Sequence, residues 1–224
     1  MKSSRIAMVW LMALALVLAA SQSHARYSDE WDALEDVMDR GAEHGRFWTQ
    51  SWYAIYGTSA LTSAYLASES GSSTERYNSR VRTVTSSLAL IDHFMNPLPH
   101  GPAYRELRSL RHHNADDALA LDDARRLVRE VAITEQRRRA FSQRIGSIIV
   151  NTTAGLVIGI GDDRAEDGIT TALVGMAVTE VKIRTEPQTA SNARGRTIQI
   201  GDTNVDVYPQ FAAAPGYIGF HMAF

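Results

Sequence analysis

Residues 145–161 read IGSIIVNTTAGLVIGIG and residues 168–183 read GITTALVGMAVTEVKI, separated by the acidic run Asp162-Asp163-Arg164-Ala165-Glu166-Asp167. Two apolar stretches of helical length around a short polar loop predict a helical hairpin. Gly155 and Gly159 stand at GxxxG spacing, which admits a closely packed second helix. The stretches hold 17 and 16 residues, fewer than the ~20 that cross a bilayer core. Asn151, Thr152, Thr153, Thr170, Thr171 and Glu180 interrupt them. In an exported chain that spanned the membrane here, Arg137 to Arg144 would lie outside and the acidic loop inside, against the positive-inside preference. The expectation is a hairpin buried in a water-soluble core or resting against a membrane.

Before the hairpin, Asn114 is placed to cap a charged helix. Asp116, Asp117, Asp122 and Asp123 fall in its first turns, and Arg125, Arg126, Arg129, Arg137, Arg138, Arg139 and Arg144 fall later. That split complements the helix dipole; an arginine stripe also suits anionic lipid or a phosphate-bearing ligand. Pro97, Pro99 and Pro102 make a stiff corner ahead of it. Ser72 with Glu75 forms a capping box, and the helix it opens carries Tyr77, Val81, Val84, Leu88, Ile91 and Met95 at alternating spacings of four and three. This a/d seam suits antiparallel packing on the preceding helix, or a partner chain in a homo-oligomer. In that preceding helix Trp48, Trp52 and Tyr56 share a face near Gly57, Ala60 and Ala64. They read as an interhelical core, or as a groove for an apolar ligand.

After the hairpin the period turns from 3.6 toward 2. Val181 and Ile183 alternate with Lys182 and Arg184, and Ile198 and Ile200 with Thr197 and Gln199. Gly201 to Asn204 and Pro215-Gly216 read as turns. The final stretch puts Ile218, Phe220, Met222 and Phe224 on one face. It looks like the terminal strand of outer-membrane barrels, over about eight residues, but a barrel needs at least eight strands and about four are expected here. The predicted class is α+β and mostly helical: an antiparallel helix bundle with an apolar helical hairpin, then a small C-terminal antiparallel sheet of about four strands. The expected regions are 1–25, 26–113, 114–183 and 184–224.

The N-terminal 25 residues read as a cleavable export signal. Lys2 and Arg5 precede an apolar run from Ile6 to Ala20, and Ser23 and Ala25 are small residues ahead of a cut before Arg26. Export to a periplasm or a membrane-associated envelope follows. The whole chain has 224 residues, no cysteine, 45% hydrophobic and 21% charged residues, and a net charge of −2. These values exclude disulfide-stapled, collagen-like and wholly disordered chains and give no basic footprint for nucleic acid.

Catalytic motifs are sparse. His112 and His113 stand four residues before Asp116 and Asp117, a spacing that would set one imidazole–carboxylate pair on a helical face for a divalent ion. Read as an EF-hand from Asp163, the acidic loop has Val174 where a bidentate glutamate is required. No GxSxG elbow, HExxH helix or phosphate-loop lysine is present. The leading expectation is a non-enzymatic envelope protein, without cofactor, acting by contact with a membrane or another envelope protein. Its candidate interaction face is Trp48, Trp52, Tyr56, Val81, Val84, Leu88, Ile91 and Met95. Alternatives are a periplasmic metal-dependent or hydrolytic enzyme and an apolar-ligand carrier.

Overall fold

The structure, a computed structural model, describes the backbone of residues 2–115, 117–193, 196–200, 203–214 and 217–223, and the side chains of 28–115 and 117–193. Helix α1 (Lys2–Glu69) is continuous, followed by α2 (Ser73–Met95), α3 (His100–Asn114), α4 (Ala118–Arg139), α5 (Phe141–Gly161), α6 (Ala165–Thr185) and the short α7 (Thr189–Ala193). No glycine or proline stands between Lys2 and Arg40, so nothing breaks the first part of α1, and Ser28 lies inside it. Ser72 caps α2 as the sequence indicates, accepting a hydrogen bond from the Glu75 N–H at 3.3 Å. The proline corner separates α2 from α3.

The expected α+β class with a sheet of about four strands is corrected to a helical bundle. Residues 28–193 contain no strand. Beyond them the backbone runs as three antiparallel strands, β1 (Arg196–Ile200), β2 (Thr203–Ala214) and β3 (Tyr217–Ala223), in the order β1-β2-β3. Ile198 stands opposite Val205, and Phe211 opposite Phe220. Phe224 and the two expected turns at 201–202 and 215–216 lie outside the described residues. The first expected strand, around Val181 to Arg184, belongs to α6. Four alternating residues fit either period, and tertiary contacts decide. As a helix the segment buries Ile183, pairs Arg184 with Glu180 at 2.8 Å, and brings Lys182 to 3.3 Å from Asp92.

The charged helix also divides differently. Its N-cap is Asp117, whose carboxylate accepts from the Leu119 N–H at 2.9 Å. It ends at Ala140, which is extended at φ −62°, ψ 153°.

Among the described residues two cores hold the bundle. The larger joins Trp31 and Met38 of α1, Ala103 and Leu107 of α3, the face Leu121, Ala124, Val128 and Val131 of α4, and Ala190 of α7. Trp31 Nε1–H donates to the Ala115 carbonyl at 3.0 Å, so its polar atom is satisfied as the ring is buried. Around this core Arg111 bonds Asp32 and Glu35, each at 2.5 Å, and Arg125 reaches Glu30 at 2.6 Å. The smaller core is Trp48, Trp52 and Tyr56 against Ala89, Leu90 and Leu98.

Candidate functional site

The later part of the a/d seam of α2 faces outward, while Tyr77 and Val81 at its start are half-buried. Val84, Leu88, Ile91 and Met95 are exposed, Met95 at 71%, and Phe94 beside them at 74%. Toward its N-terminal end α2 presents small polar groups to α1, with Ser79 buried and Ser86 Oγ 2.8 Å from Ser59 Oγ, and further on it presents Ala89, Leu90 and His93 to the aromatic core. Ser63 of α1 is buried as well, while Leu61 and Tyr65 are exposed. From Phe47 to Ser68, α1 carries no charged residue.

The α5–α6 hairpin repeats this inversion. Its inner line runs Ser147, Asn151, Gly155 and Gly159 against Gly168, Gly175 and Thr179. Ser147 Oγ and Thr179 Oγ1 are 2.5 Å apart, and Asn151 Nδ2 donates to both the carbonyl and hydroxyl of Ser147 at 2.9 Å. A Cβ added at Gly155 would sit 2.6 Å from the Gly168 carbonyl oxygen, and one at Gly168 would sit 2.8 Å from Gly159 Cα. Only glycines allow this approach. The outer line is apolar and exposed: Ile149, Leu156 and Ile160 on α5, Ile169, Leu173 and Val181 on α6, with Ile160 at 78%. A hairpin buried in a soluble core is therefore not what forms.

Charges gather at the two ends of the hairpin. At its base Arg144 pairs with Glu180 at 2.9 Å, and Arg138 bonds the Glu186 carboxylate. At its tip Arg164 bonds Asp162 at 2.5 Å, Asp167 at 2.6 Å and Asn78 of α2 at 2.7 Å. The turn carries Asp163 at φ 52°, a left-handed conformation that Asp tolerates. Among the described residues one stretch, within Ala118–Gly161, is long and apolar enough to cross a membrane by length and composition.

The aromatic face sits inside the α1–α2 interface. Trp48 and Trp52 rings are 6.4 Å apart, Trp52 and Tyr56 5.3 Å, and the set encloses His93, 5.1 Å from Trp48 and 4.6 Å from Tyr53. Burial pushes the Tyr56 hydroxyl up to about 12. His93 Nε2–H donates to the Thr49 carbonyl at 3.2 Å. Burial holds the imidazole below its usual 6.5 despite that bond, and the Lys182 charge acts in the same direction. The sign follows: the fold takes up His93 neutral, the unfolded chain binds a proton near 6.5, so stability is complete above 6.5 and is lost as pH falls below it. The melting temperature is expected to drop between about pH 7.5 and about pH 5, and His93→Gln to flatten that drop in circular dichroism melts. An equal slope in the variant would assign the dependence elsewhere.

His112 and His113 are exposed at the end of α3, with ring centroids 5.1 Å apart. His113 Nδ1 is 2.8 Å from the Ser109 carbonyl, and Asp117 is used as the α4 cap. Asp116 lies outside the described residues. Helix α3 ends at Asn114 and Asp117 is the extended cap of α4, so the four-residue spacing does not place His113 and Asp117 on one helix. No group of three or more His, Asp or Glu suited to a metal ion occurs among the described residues.

One buried polar cluster has no local sequence motif. His100 Nε2 and Glu135 Oε1 are 2.8 Å apart, both side chains 1% exposed. Glu135 also accepts from the backbone N–H groups of Ala190 at 3.1 Å and Ser191 at 2.6 Å. Gly41 of α1 admits the imidazole, since a Cβ there would lie 2.7 Å from His100 Cδ2. The available signal was Glu135 itself, a carboxylate three residues beyond Ala132 on the apolar stripe of α4. Sealed among α1, α3, α4 and α7, the pair ties the segment after α6 to the bundle. Comparison with protein-family models, with curated proteins and with solved structures finds no match to this chain.

Proposed function

We propose that the chain is a non-enzymatic protein of the cell envelope that works by membrane contact, laying the outer face of its α5–α6 hairpin into the bilayer surface. The observation that carries this reading is the inverted polarity of the hairpin. In water, apolar side chains gather inside and small polar ones face out. Here hydroxyls, an amide and glycines meet between the helices, as they do where lipid is the solvent, and Ile149, Leu156, Ile160, Ile169 and Leu173 face away, with Ile158 and Ile183 the buried exceptions. Contiguous apolar surface of this kind marks a membrane or partner contact. The charged base and tip suit headgroup depth, with the apolar length between them lying parallel to the surface. The N-terminal export pattern supports an envelope location.

The test is flotation of the full chain on phosphatidylcholine vesicles. Leu156→Asp with Leu173→Asp removes two exposed side chains, 53% and 61% accessible, whose burial contributes about 1.5–3 kcal/mol each. Vesicle affinity is expected to fall about a hundredfold or more with the melting temperature unchanged. A wild-type chain that stays with the soluble fraction, or a double variant that floats equally well, would overturn the reading.

A further inference from the structure

Between α2 and α5 lies an open groove of about 430 Å³, within the size range of ligand sites. Its walls are Val81, Val84 and Leu88 on one side and Ile149, Val150 and Val157 on the other. Thr85 and Thr153 add hydroxyls, and the Tyr77 hydroxyl is already bonded to the Val157 carbonyl at 3.1 Å. One charged residue lines the groove, Arg80. Most arginines of α4 and the start of α5 are spent on internal partners, but Arg80 makes no ion pair among the described residues. From Arg80 to Leu88 the wall runs about 12 Å at the helical rise, enough for the part of an extended hydrocarbon chain nearest its headgroup to lie along it.

We propose that this groove takes one acyl chain of an anionic phospholipid, with the lipid phosphate paired to Arg80. An unpaired guanidinium beside an otherwise apolar trough is complementary to that ligand, since guanidinium bonds phosphate bidentately and the trough takes the chain. The inference rests on the bilayer reading above. Ile149 belongs both to the groove wall and to the outer face of α5 proposed to lie in the bilayer, so the groove opens beside that face and a lipid enters sideways without crossing water.

The experiment compares flotation on phosphatidylcholine vesicles with and without phosphatidylglycerol, together with native mass spectra of the recovered chain. Arg80→Gln is expected to lower the preference for phosphatidylglycerol by about fivefold. Arg82→Gln, the same change on an exposed neighbour that does not line the groove, is expected to leave it unaltered. Thr153→Trp and Val84→Trp each fill the groove at an exposed position without changing charge. They are expected to abolish the one-lipid adduct while flotation on phosphatidylcholine persists. Equal losses in the Arg80 and Arg82 variants, or an adduct that survives both tryptophans, would overturn the groove and leave the bilayer reading standing. Failure of the wild-type chain to float on either vesicle would remove both. A doubled mass in place of the lipid adduct would assign the groove to a second copy of this chain and overturn the proposal.

Discussion

A Glu135→Ala chain is expected to lose about 3–5 kcal/mol of unfolding free energy, the cost of removing one member of a buried pair, and roughly 10 °C or more of melting temperature. Three donors lose their acceptor together: His100 Nε2–H and the backbone N–H groups of Ala190 and Ser191. His100 and Ala190 are buried and cannot turn to water, and each unsatisfied buried donor costs about 1–3 kcal/mol. Glu135→Gln keeps an acceptor oxygen in place and should fall between wild type and alanine. Urea unfolding with the two-state slope held constant measures both. A loss below about 1 kcal/mol, in the range of ordinary surface substitutions, would mean that the latch does not hold the α6–α7 connection.

Gly168→Val is expected to have the second largest effect, separating the hairpin at the cost of about 3 kcal/mol or more, the upper range for forced overpacking. The neighbours of the missing Cβ are backbone atoms, the Gly155 carbonyl oxygen and Gly159 Cα and N. Backbone cannot swing aside as a flexible side chain would, so α5 and α6 must part. Parting them also breaks the Ser147–Thr179 bond and exposes Asn151. The variant should therefore lose stability in solution and vesicle affinity together, unlike the Leu156 and Leu173 substitutions, which affect affinity alone. Proteolysis between α5 and α6, followed against wild type, reads out the separation. A valine chain as resistant and as stable as wild type would place the helices farther apart than the glycines imply.

Much of the helix inventory was legible from local chemistry. The Ser72 cap, the proline corner from Pro97 to Pro102 and the acidic break at Asp162 to Asp167 each act within a few residues. Such signals do not depend on what lies across the bundle. The glycine pair Gly155 and Gly159 was legible for the same reason, since its spacing alone determines that another helix can come close. The strand expected around Val181 to Arg184 was misread because four alternating residues cannot separate the two periods. The choice was made by Asp92 and Glu180, partners outside that stretch.

By itself the sequence determined that the chain is helix-rich, where most of its helices stop, and that α5 and α6 fold back on each other. Those are properties of spacing, caps and breakers. Only the tertiary structure decided which face of each helix is inside. The seam Val84, Leu88, Ile91 and Met95 has the period of a packed core, yet it is Ser79, Ser86, Ala89, Leu90 and His93 of α2 that meet α1. Periodicity shows that residues share a face and cannot show what that face meets. The same limit hid the Glu135 latch, whose three donors come from α3 and α7, 35 to 56 residues away. Convergence over such distances is a property of packing, and it is packing that turned apolar faces of α2, α5 and α6 outward.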